Sequence, residues 1–175
     1  PYVPEAAEDA RHFHATLKHQ CDRHDPEHYP RFKARCDEYF HLPHRQEMRG
    51  VGGIFWDYLG LKDDPADLAG AHFDFVRTCS EGFLDTYMPI VRRRMKAPWS
   101  DRERRFQLLR RGRYAEFNLL YDRGTRFGLM TDGRVESILM SMPPLARWEY
   151  DHRPPADSPE GKVLAMLQPR DWAAE

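Results

Sequence analysis

The sequence predicts an α+β fold with a largely antiparallel sheet, and three observations support this prediction. Helical and strand-like patterns intermix along the 175 residues without the regular strand–helix alternation of a parallel sheet. The apolar run over 51–58 follows a glycine-rich stretch and is typical of a buried strand. Two further strands are predicted over 114–122 and 127–130, joined at 122–125 by a tight turn in which Gly124 can take positive φ.

Two helices are predicted before the first strand. Over 5–22 the apolar side chains recur at helical spacing, and Asp25-Pro26 ends that helix. A second helix begins at Tyr29-Pro30 and extends to about His41, with Cys36 as a small residue of its core-facing side. Pro43 ends this helix and leads into a polar segment that begins at His44.

The remaining helices are marked by their ends. Asp64-Pro65 begins a helix that extends to about Tyr87, and Pro89 kinks or ends it. Ser100 to Glu103 has the form of a capping box, which predicts a short helix over 101–109. A turn over 131–134 precedes a short helix from Val135 to Met142, and a terminal helix covers 158–167 with Pro159 in its first turn.

The composition describes one globular domain. Apolar residues make up 41% of the chain, charged residues 31%, and the net charge is -1. No apolar run approaches the roughly 20 residues that span a bilayer, and no signal peptide is visible, so we expect no transmembrane segment. The three scattered cysteines lack the CxxC spacing of a metal site and indicate reduced thiols, which predicts a cytoplasmic protein.

Most of the 27 basic residues are arginine, and they form two groups. The dense run over 92–113 can be a solvated helix face or a nucleic-acid surface. Acidic residues interrupt this run and aromatic stacking positions are missing, which favours the solvated face and no nucleic-acid partner. The second group flanks glycines at strand ends or turns, where guanidinium and backbone can converge on ligand carboxylates. It comprises Arg45, Arg49, Arg123 and Arg134.

Two further polar features remain open on spacing alone. His12 and His14 lie about 200° apart on a helix, so a metal site would use one of them with a distant partner such as His44. Surface or hydrogen-bonded histidines are the alternative. Asp122 beside Arg123 would stay ionised and could stabilise a cationic ring or orient the arginine, and an internal salt bridge that shapes the turn is equally compatible.

Long ordered motifs across the chain resemble one enzyme family. They include His44-Arg45-Gln46-Glu47-Met48-Arg49-Gly50-Val51-Gly52-Gly53, the stretch from Arg110 to Gly128, Glu136-Ser137-Ile138-Leu139-Met140-Ser141-Met142-Pro143-Pro144 and Trp148-Glu149-Tyr150. These motifs resemble the oxygen-dependent, or aerobic, coproporphyrinogen III oxidases of haem biosynthesis. The resemblance implies a flat antiparallel sheet flanked by helices on both faces, and a homodimer.

The resemblance also implies an activity and a set of site residues. The activity is the oxidative decarboxylation of two propionates of coproporphyrinogen III to vinyl groups, which gives protoporphyrinogen IX with O2 as oxidant and without an organic redox cofactor. The resemblance implies that Asp132, Gly133 and Arg134 bind substrate and that His14 and His44 are ligands of a divalent metal, of the manganese type in bacterial members. The residues themselves, considered with a substrate that carries four carboxylates, predict that Arg45 and Arg49 are substrate-binding and that Asp122 and Arg123 are catalytic.

The resemblance begins partway through the family pattern. We therefore interpret residues 1–175 as the C-terminal portion of a single domain that is truncated at its N-terminus. Arg35 and Trp56 stand where the family usually has tryptophan and phenylalanine. The alternative to an enzyme is a catalytically inactive fragment that dimerises or binds porphyrinogen.

Overall fold

The computed structural model describes residues 2–59 and 70–174, and the described chain is rich in helix. It forms two compact units. The first unit contains the described residues of Glu5–Phe40, Val51–Pro98 and Pro169–Glu175, and the second contains those of Pro1–Pro4, His41–Gly50 and Trp99–Gln168. The prediction that the chain is part of a single domain stays a prediction.

The helices of the first unit are α1 (Ala6–Asp22), α2 (His28–Tyr39), α3 (Ala71–Glu81) and α4 (Phe83–Arg94). The second unit contains β1 (His41–Leu42), β2 (Glu47–Met48), α5 (Asp101–Leu120), α6 (Arg123–Met130), α7 (Val135–Ile138), a 3-10 turn (Leu139–Ser141) and α8 (Pro159–Ala165). No helix of the described ranges combines the length and the apolar character that crossing a bilayer would require.

The first unit is built around α1, which packs against α2, α3 and α4. Its apolar core contains Cys21, Tyr29, Phe32 and Phe75. The side-chain amide of Gln20 on α1 donates to the carbonyl oxygen of Gly82 and to the hydroxyl of Thr86, both at 3.1 Å. These hydrogen bonds fix the position of α1 along α4, which apolar packing alone would not fix.

The second unit is organised by the long helix α5. Its N-terminus carries the predicted capping box, in which the Ser100 side chain accepts from the Glu103 backbone and the Glu103 carboxylate accepts from the Ser100 backbone at 2.6 Å. The short antiparallel strands β1 and β2 pair His41 with Met48 and Leu42 with Glu47. The hairpin lies against α5, because Arg110 on that helix donates to Glu47 at 2.7 Å.

Three predicted strands are wrong. Residues 114–122 belong mostly to α5, residues 127–130 belong to α6, and residues 51–58 are irregular. In α5 the buried residues Phe106, Leu109, Arg113 and Phe117 follow helical spacing, so the true period continues past the predicted end at 109. Among the described residues the antiparallel sheet is this one hairpin, and the flat, helix-flanked sheet that the resemblance implies is not seen.

Two predicted boundaries also differ from the structure. The 122–125 connection is not a tight turn with positive φ at Gly124, because Asp122 caps α6 and the helix begins at Arg123. Pro89 does not end its helix, since α4 continues to Arg94. The helices predicted over 5–22, 29–41 and 158–167 are confirmed within a few residues, and the helix predicted over 135–142 is α-helical to Ile138 and continues as a 3-10 turn to Ser141. The start of the helix predicted at Asp64-Pro65 lies outside the described residues.

Candidate functional site

The two polar segments singled out in the sequence meet in the second unit. The hairpin carries His44, Arg45 and Glu47 in its turn and second strand, and α5 presents Arg110, Arg113 and Glu116 towards them. On α5 these three positions lie three apart, on one face of the helix. The segments therefore form one interlocked polar surface.

Glu116 is the centre of this surface. Arg45 donates to both of its carboxylate oxygens, from Nε at 3.0 Å and from Nη2 at 2.7 Å. His44 Nε2 lies 2.8 Å from Oε2, Trp148 Nε1 donates to Oε1 at 2.9 Å, and Arg113 Nη1 donates to Oε1 at 3.1 Å. We call these five residues the Glu116 cluster.

The hydrogen bonds of the cluster keep Glu116 ionised. Burial alone would raise the pKa of this carboxyl group, but the hydrogen bonds from Arg45 and His44 and the charge of Arg113 outweigh burial and lower its pKa to about 2. Arg45 responds in the opposite direction, because its pKa is raised by the same pair of bonds. Glu116 therefore remains negatively charged and holds in place the four side chains that contact its carboxylate.

A second carboxylate, Glu47, contacts the cluster through Arg113. Glu47 accepts from Arg110 Nη1 at 2.7 Å and lies 3.4 Å from Arg113 Nε. Arg110 and Arg113 are 8% and 9% exposed, so the prediction that the arginine run is a solvated face is wrong for these two residues. Burial lowers the pKa of Arg110, and Glu47 offsets part of this effect. The buried side of α5 can accommodate these two arginine charges because each has a carboxylate partner.

Arg49 joins the same surface through aromatic rings. Its guanidinium carbon lies 4.7 Å from the ring centre of Phe117 and 5.0 Å from that of Tyr114. Its Nη1 donates to the side-chain oxygen of Asn118 at 3.0 Å. Cation–π stacking and this hydrogen bond hold the charge in a fixed place on the surface of α5.

Gly112 allows the segment around Trp148 to lie directly on α5. A Cβ at this position would lie 2.6 Å from the carbonyl oxygen of Arg147 and 3.3 Å from the Trp148 ring. The backbone N–H of Arg147 also donates to the carbonyl of Leu108 at 3.0 Å. Because Gly112 has no side chain, the Trp148 indole can lie close enough to α5 to donate to Glu116.

The turn over 131–134, which was predicted to contact the substrate, is present, and its arginine is exposed to solvent. Asp132 has a φ of 56°, and Gly133 donates its N–H to the Gly128 carbonyl at 2.9 Å. A Cβ at Gly133 would lie 2.9 Å from that carbonyl oxygen, so this position needs glycine. The Arg134 side chain is 80% exposed, and its nearest carboxylate, Glu136, lies 3.9 Å away. Within the described residues, no hydrogen bond or ion pair connects Arg134 to a residue of the Glu116 cluster.

The predicted catalytic residues lie at the start of α6. One carboxylate oxygen of Asp122, Oδ2, accepts from the backbone N–H of Thr125 at 2.7 Å and caps the helix. Arg123 is the first residue of α6. Asp122 therefore has a structural role that the sequence did not reveal, and the catalytic role of both residues stays a prediction.

His14 is completely buried in the first unit. Its Nδ1 lies 3.0 Å from the Tyr29 hydroxyl and its Nε2 lies 2.9 Å from the Val51 carbonyl oxygen. A carbonyl only accepts, so Nε2 carries the proton and Nδ1 accepts from Tyr29. Burial lowers the pKa of His14 to about 4, against the Val51 carbonyl, which raises it.

The two histidines predicted to bind metal both use their ring nitrogens within their own units. Those of His44 contact Glu116 and the Tyr121 hydroxyl, each at 2.8 Å. In this arrangement neither histidine offers a nitrogen to a metal ion without first giving up a hydrogen bond. Within neither unit do the described residues contain a group of three or more histidine, cysteine, aspartate or glutamate side chains placed to bind one. The metal role of His14 and His44 stays a prediction.

Several residues of the site had no role assigned from the sequence. Glu116 accepts from Arg45, Asn118 accepts from Arg49, and Trp148 donates to Glu116. The three-residue spacing of Arg110, Arg113 and Glu116 could have indicated a shared helix face, but the predicted strand over 114–122 placed Glu116 on a different element. The error in secondary structure therefore hid the centre of the site.

Comparison with known proteins identifies the family. The family model described as coproporphyrinogen III oxidase matches residues 1–172. The oxygen-dependent coproporphyrinogen-III oxidase of Drosophila melanogaster is 54% identical over 166 residues, which are 94% of this chain and 41% of that protein. The enzyme of the same name from Francisella tularensis subsp. holarctica is 52% identical over 172 residues, 98% of this chain and 54% of that protein. The chain thus spans about half the length of the curated relatives it matches, and it belongs to the coproporphyrinogen III oxidase family.

Proposed function

We propose that the chain carries part of an enzyme that converts coproporphyrinogen III to protoporphyrinogen IX. Each of two propionates loses CO2, a proton and two electrons to become a vinyl group, and O2 takes up the two electrons with two protons to give H2O2. The observation that carries the proposal is the family match over residues 1–172, together with relatives above 50% identity that are named for this reaction. We place the reaction in the cytoplasm, since the three free cysteines fit a reducing compartment.

The chemistry of the second unit supports a substrate rich in carboxylates. Arg45 donates to Glu116 through Nε and Nη2, which leaves Nη1 for a propionate, and 38% of its side chain is exposed. Arg134 is more exposed still and has only a distant carboxylate partner. In this proposal both guanidinium groups bind substrate propionates, Arg49 adds positive charge, and Asp132 and Gly133 shape the turn that presents Arg134.

Asp122 and Arg123 take the catalytic roles in this proposal. The Asp122 carboxylate accepts a pyrrole N–H proton or stabilises the positive charge that develops on the pyrrole as it is oxidised. Arg123 holds the carboxylate of the reacting propionate until CO2 leaves. Helix α6 supports the arrangement, because the cap at Oδ2 fixes the orientation of the Asp122 carboxyl group.

Turnover by the full-length enzyme of which this chain is proposed to be part tests the proposal. Coproporphyrinogen III is supplied under air and under argon, and protoporphyrinogen is measured as its fluorescent oxidised form. We expect oxygen-dependent product from that enzyme and none from the 175-residue chain alone. In the full-length enzyme, Arg134→Ala should lower kcat/KM about ten- to a hundredfold because one charge-assisted bond to a propionate is lost. Arg126→Ala, an exposed arginine of α6, is the matched control and should leave turnover unchanged. Absence of both turnover and substrate binding would contradict the proposal.

The second candidate is a fragment that binds porphyrinogen or dimerises without turnover. It is favoured by an apolar surface on α6 and on the segment that follows it. Phe127 is 69% exposed, Met130 81%, Val135 50% and Met140 80%, which is unusual for side chains of this size. We propose that a second copy of the chain covers this surface, so that the protein is a homodimer in either case.

Sedimentation at micromolar concentration tests the dimer. We expect a dimer that Met130→Glu dissociates, because a charge in an apolar interface is left without a partner. Met95→Glu, at an exposed methionine in the first unit, is the control. A wild-type monomer would contradict this proposal, and tight substrate binding without turnover would favour the fragment over the enzyme.

A further inference from the structure

The Trp148 side chain is held by the Glu116 cluster, and yet 53% of its surface is exposed. An exposed indole leaves a large apolar surface in water, which a bound ligand would cover favourably. The roles proposed above for the arginines and for Asp122 do not involve this ring. Trp148 is therefore a polar-anchored aromatic surface that the proposed chemistry has not yet used.

Two contacts fix the plane of the Trp148 ring. Its Nε1 donates to Glu116 Oε1 at 2.9 Å. The indole also lies against Gly112, because a Cβ added to that glycine would be 3.3 Å from Trp148 Cε2. The ring is thus held at its N–H edge and on the side that faces α5, so its exposed surface lies away from the helix.

The chain on each side of Trp148 is bonded to α5 as well. Before the ring, the backbone N–H of Arg147 donates to the Leu108 carbonyl oxygen at 3.0 Å. After the ring, the Glu149 carboxylate accepts from Arg105 Nε at 2.6 Å. A ligand that packs on the ring therefore does not have to order the segment first, and this preorganisation lowers the entropic cost of binding.

A guanidinium group lies beside the exposed ring. Arg45 Nη2 donates to Glu116 Oε1 at 2.7 Å, the same oxygen that accepts from Trp148 Nε1. The second bond from Arg45 to Glu116 comes from Nε at 3.0 Å, so Nη1 takes no part in the pair. One carboxylate thus holds an aromatic ring and a cationic donor next to each other, and both are accessible from solvent.

A pyrrole that carries a propionate matches this pair of groups. The pyrrole of a porphyrinogen is an electron-rich aromatic ring, and its propionate places a carboxylate two methylene groups away. Tetrahedral carbon atoms join the four pyrroles, so one ring can pack on an indole without the other three. Packing of two aromatic rings is favourable, and a guanidinium binds a carboxylate through charge-assisted hydrogen bonds.

We propose that Trp148 and Arg45 form a subsite for one pyrrole of the substrate together with its propionate, an inference that rests on the function proposed above. The indole packs on the pyrrole, and Arg45 Nη1 donates to the carboxylate. Glu116 is the positioning residue of this subsite, because it acts on the substrate only through the two groups that it holds. The subsite favours a pyrrole with a carboxylate side chain over one with an uncharged side chain.

Equilibrium binding to the full-length enzyme under argon tests the subsite. Without O2 the substrate is not converted, and the reduced macrocycle does not absorb tryptophan emission, so a change in emission reports contact. We expect coproporphyrinogen III to change the emission saturably in the wild type. Trp148→Leu should raise Kd about three- to tenfold through the lost aromatic pair.

Trp148→Phe is the conservative variant. It keeps an aromatic ring at this position but removes the indole, so we expect a rise in Kd smaller than that of Trp148→Leu, together with a clear loss of the emission change. Trp99→Phe, at an exposed tryptophan of the same unit, is the matched control and should keep both the wild-type Kd and the wild-type emission change. A purely structural role of Trp148 would not remove the signal in a variant that still binds.

Glu116→Asp tests the positioning role while keeping the negative charge. The shorter side chain cannot hold the indole and the guanidinium at their present places, so Kd should rise severalfold. The same substitution should raise Kd less in an Arg45→Ala background, because Glu116 then has one group fewer to position. Full additivity of the two substitutions would contradict the positioning role.

The outcomes separate this subsite from the proposed function. Wild-type enzyme that neither binds nor converts coproporphyrinogen III would overturn both. Wild-type enzyme that is active, while folded Trp148→Leu binds as tightly and Trp148→Phe keeps the full emission change, would overturn the subsite alone.

Discussion

His14 in the first unit and Glu116 in the second are both hydrogen-bonded side chains held in one protonation state, but opposite forces hold them. His14 is kept neutral by burial in an apolar core, and Glu116 is kept anionic by cationic donors that outweigh burial. Both groups bind fewer protons in the folded chain than in the unfolded chain. Acid therefore destabilises both units, for different physical reasons and in different pH ranges.

The pH ranges follow from the pKa values. The contribution of His14 is complete above pH 6.5, the ordinary pKa of histidine, and is lost as the pH falls towards about 4. The contribution of Glu116 is complete above pH 4.5 and is lost as the pH falls towards about 2. The first unit should therefore respond to mild acid before the second does.

The largest effect is expected from Glu116→Gln. The substitution keeps the size of the side chain but removes the carboxylate partner of Arg45 and leaves Arg113 with Glu47 alone, which should lower the free energy of unfolding by about 4 kcal/mol. Urea denaturation at pH 7 measures this change. Glu136→Gln, at a side chain that is 82% exposed, is the control and should change stability by less than about 0.5 kcal/mol. Equal effects of the two substitutions would show that the Glu116 cluster contributes no more than a surface pair.

A somewhat smaller effect is expected from the pH dependence of His14. Between pH 7 and pH 4 the free energy of unfolding of the wild-type chain should fall by about 3 kcal/mol more than that of His14→Gln. The reason is that glutamine can donate to the Val51 carbonyl but does not titrate. Unfolding free energies at a series of pH values give the two slopes. His19→Gln, at an exposed histidine of α1, should keep the wild-type slope. Parallel curves for all three proteins would refute the contrast between the two units.

Asp122 separates stability from catalysis. Asp122→Ala should cost about 1 kcal/mol through the lost cap of α6, whereas asparagine caps nearly as well and should cost almost nothing. If the carboxylate also serves the reaction, Asp122→Asn should remove turnover while the melting temperature stays at the wild-type value. A fully active Asp122→Asn would rule out a catalytic role for the Asp122 carboxylate.

The smallest effect is expected from Arg49→Lys. The charge remains, but the planar contact with Tyr114 and Phe117 and the directed bond to Asn118 are weakened, which should cost about 0.5–1 kcal/mol. Chemical denaturation again supplies the measurement. A loss as large as that of Glu116→Gln would mean that aromatic stacking, and not the carboxylate, organises this surface.

The sequence predicted features that depend on local chemistry. The capping box of Ser100 and Glu103, Pro159 in the first turn of α8 and the burial of Cys36 depend on a few neighbouring residues, and all three are confirmed. The strand predictions over 51–58 and 114–122 failed for a different reason. Short apolar runs do not distinguish a strand from a buried helix or from an irregular segment, and only tertiary packing decides between them.

The candidate site shows the same limit. The arginines were predicted from their position beside glycines, and Arg45 and Arg49 do lie together on one surface with α5. Their carboxylate and aromatic partners come from about 70 residues away in the chain, a separation at which spacing rules carry no information. For His14, the sequence showed a residue type that can bind metal, but its burial and its two hydrogen bonds depend on the fold.

Gly112 has a consequence for any attempt to stabilise this protein. In an isolated helix, glycine to alanine is worth up to about 1 kcal/mol, so a survey of helix propensities would select this position of α5 for substitution. Here the added methyl group would collide with the Arg147 carbonyl and push the Trp148 segment away from the helix. A substitution that stabilises α5 by itself would therefore disrupt the candidate site. The glycine lowers the intrinsic stability of the helix, but it is needed for the Trp148 segment to pack against α5.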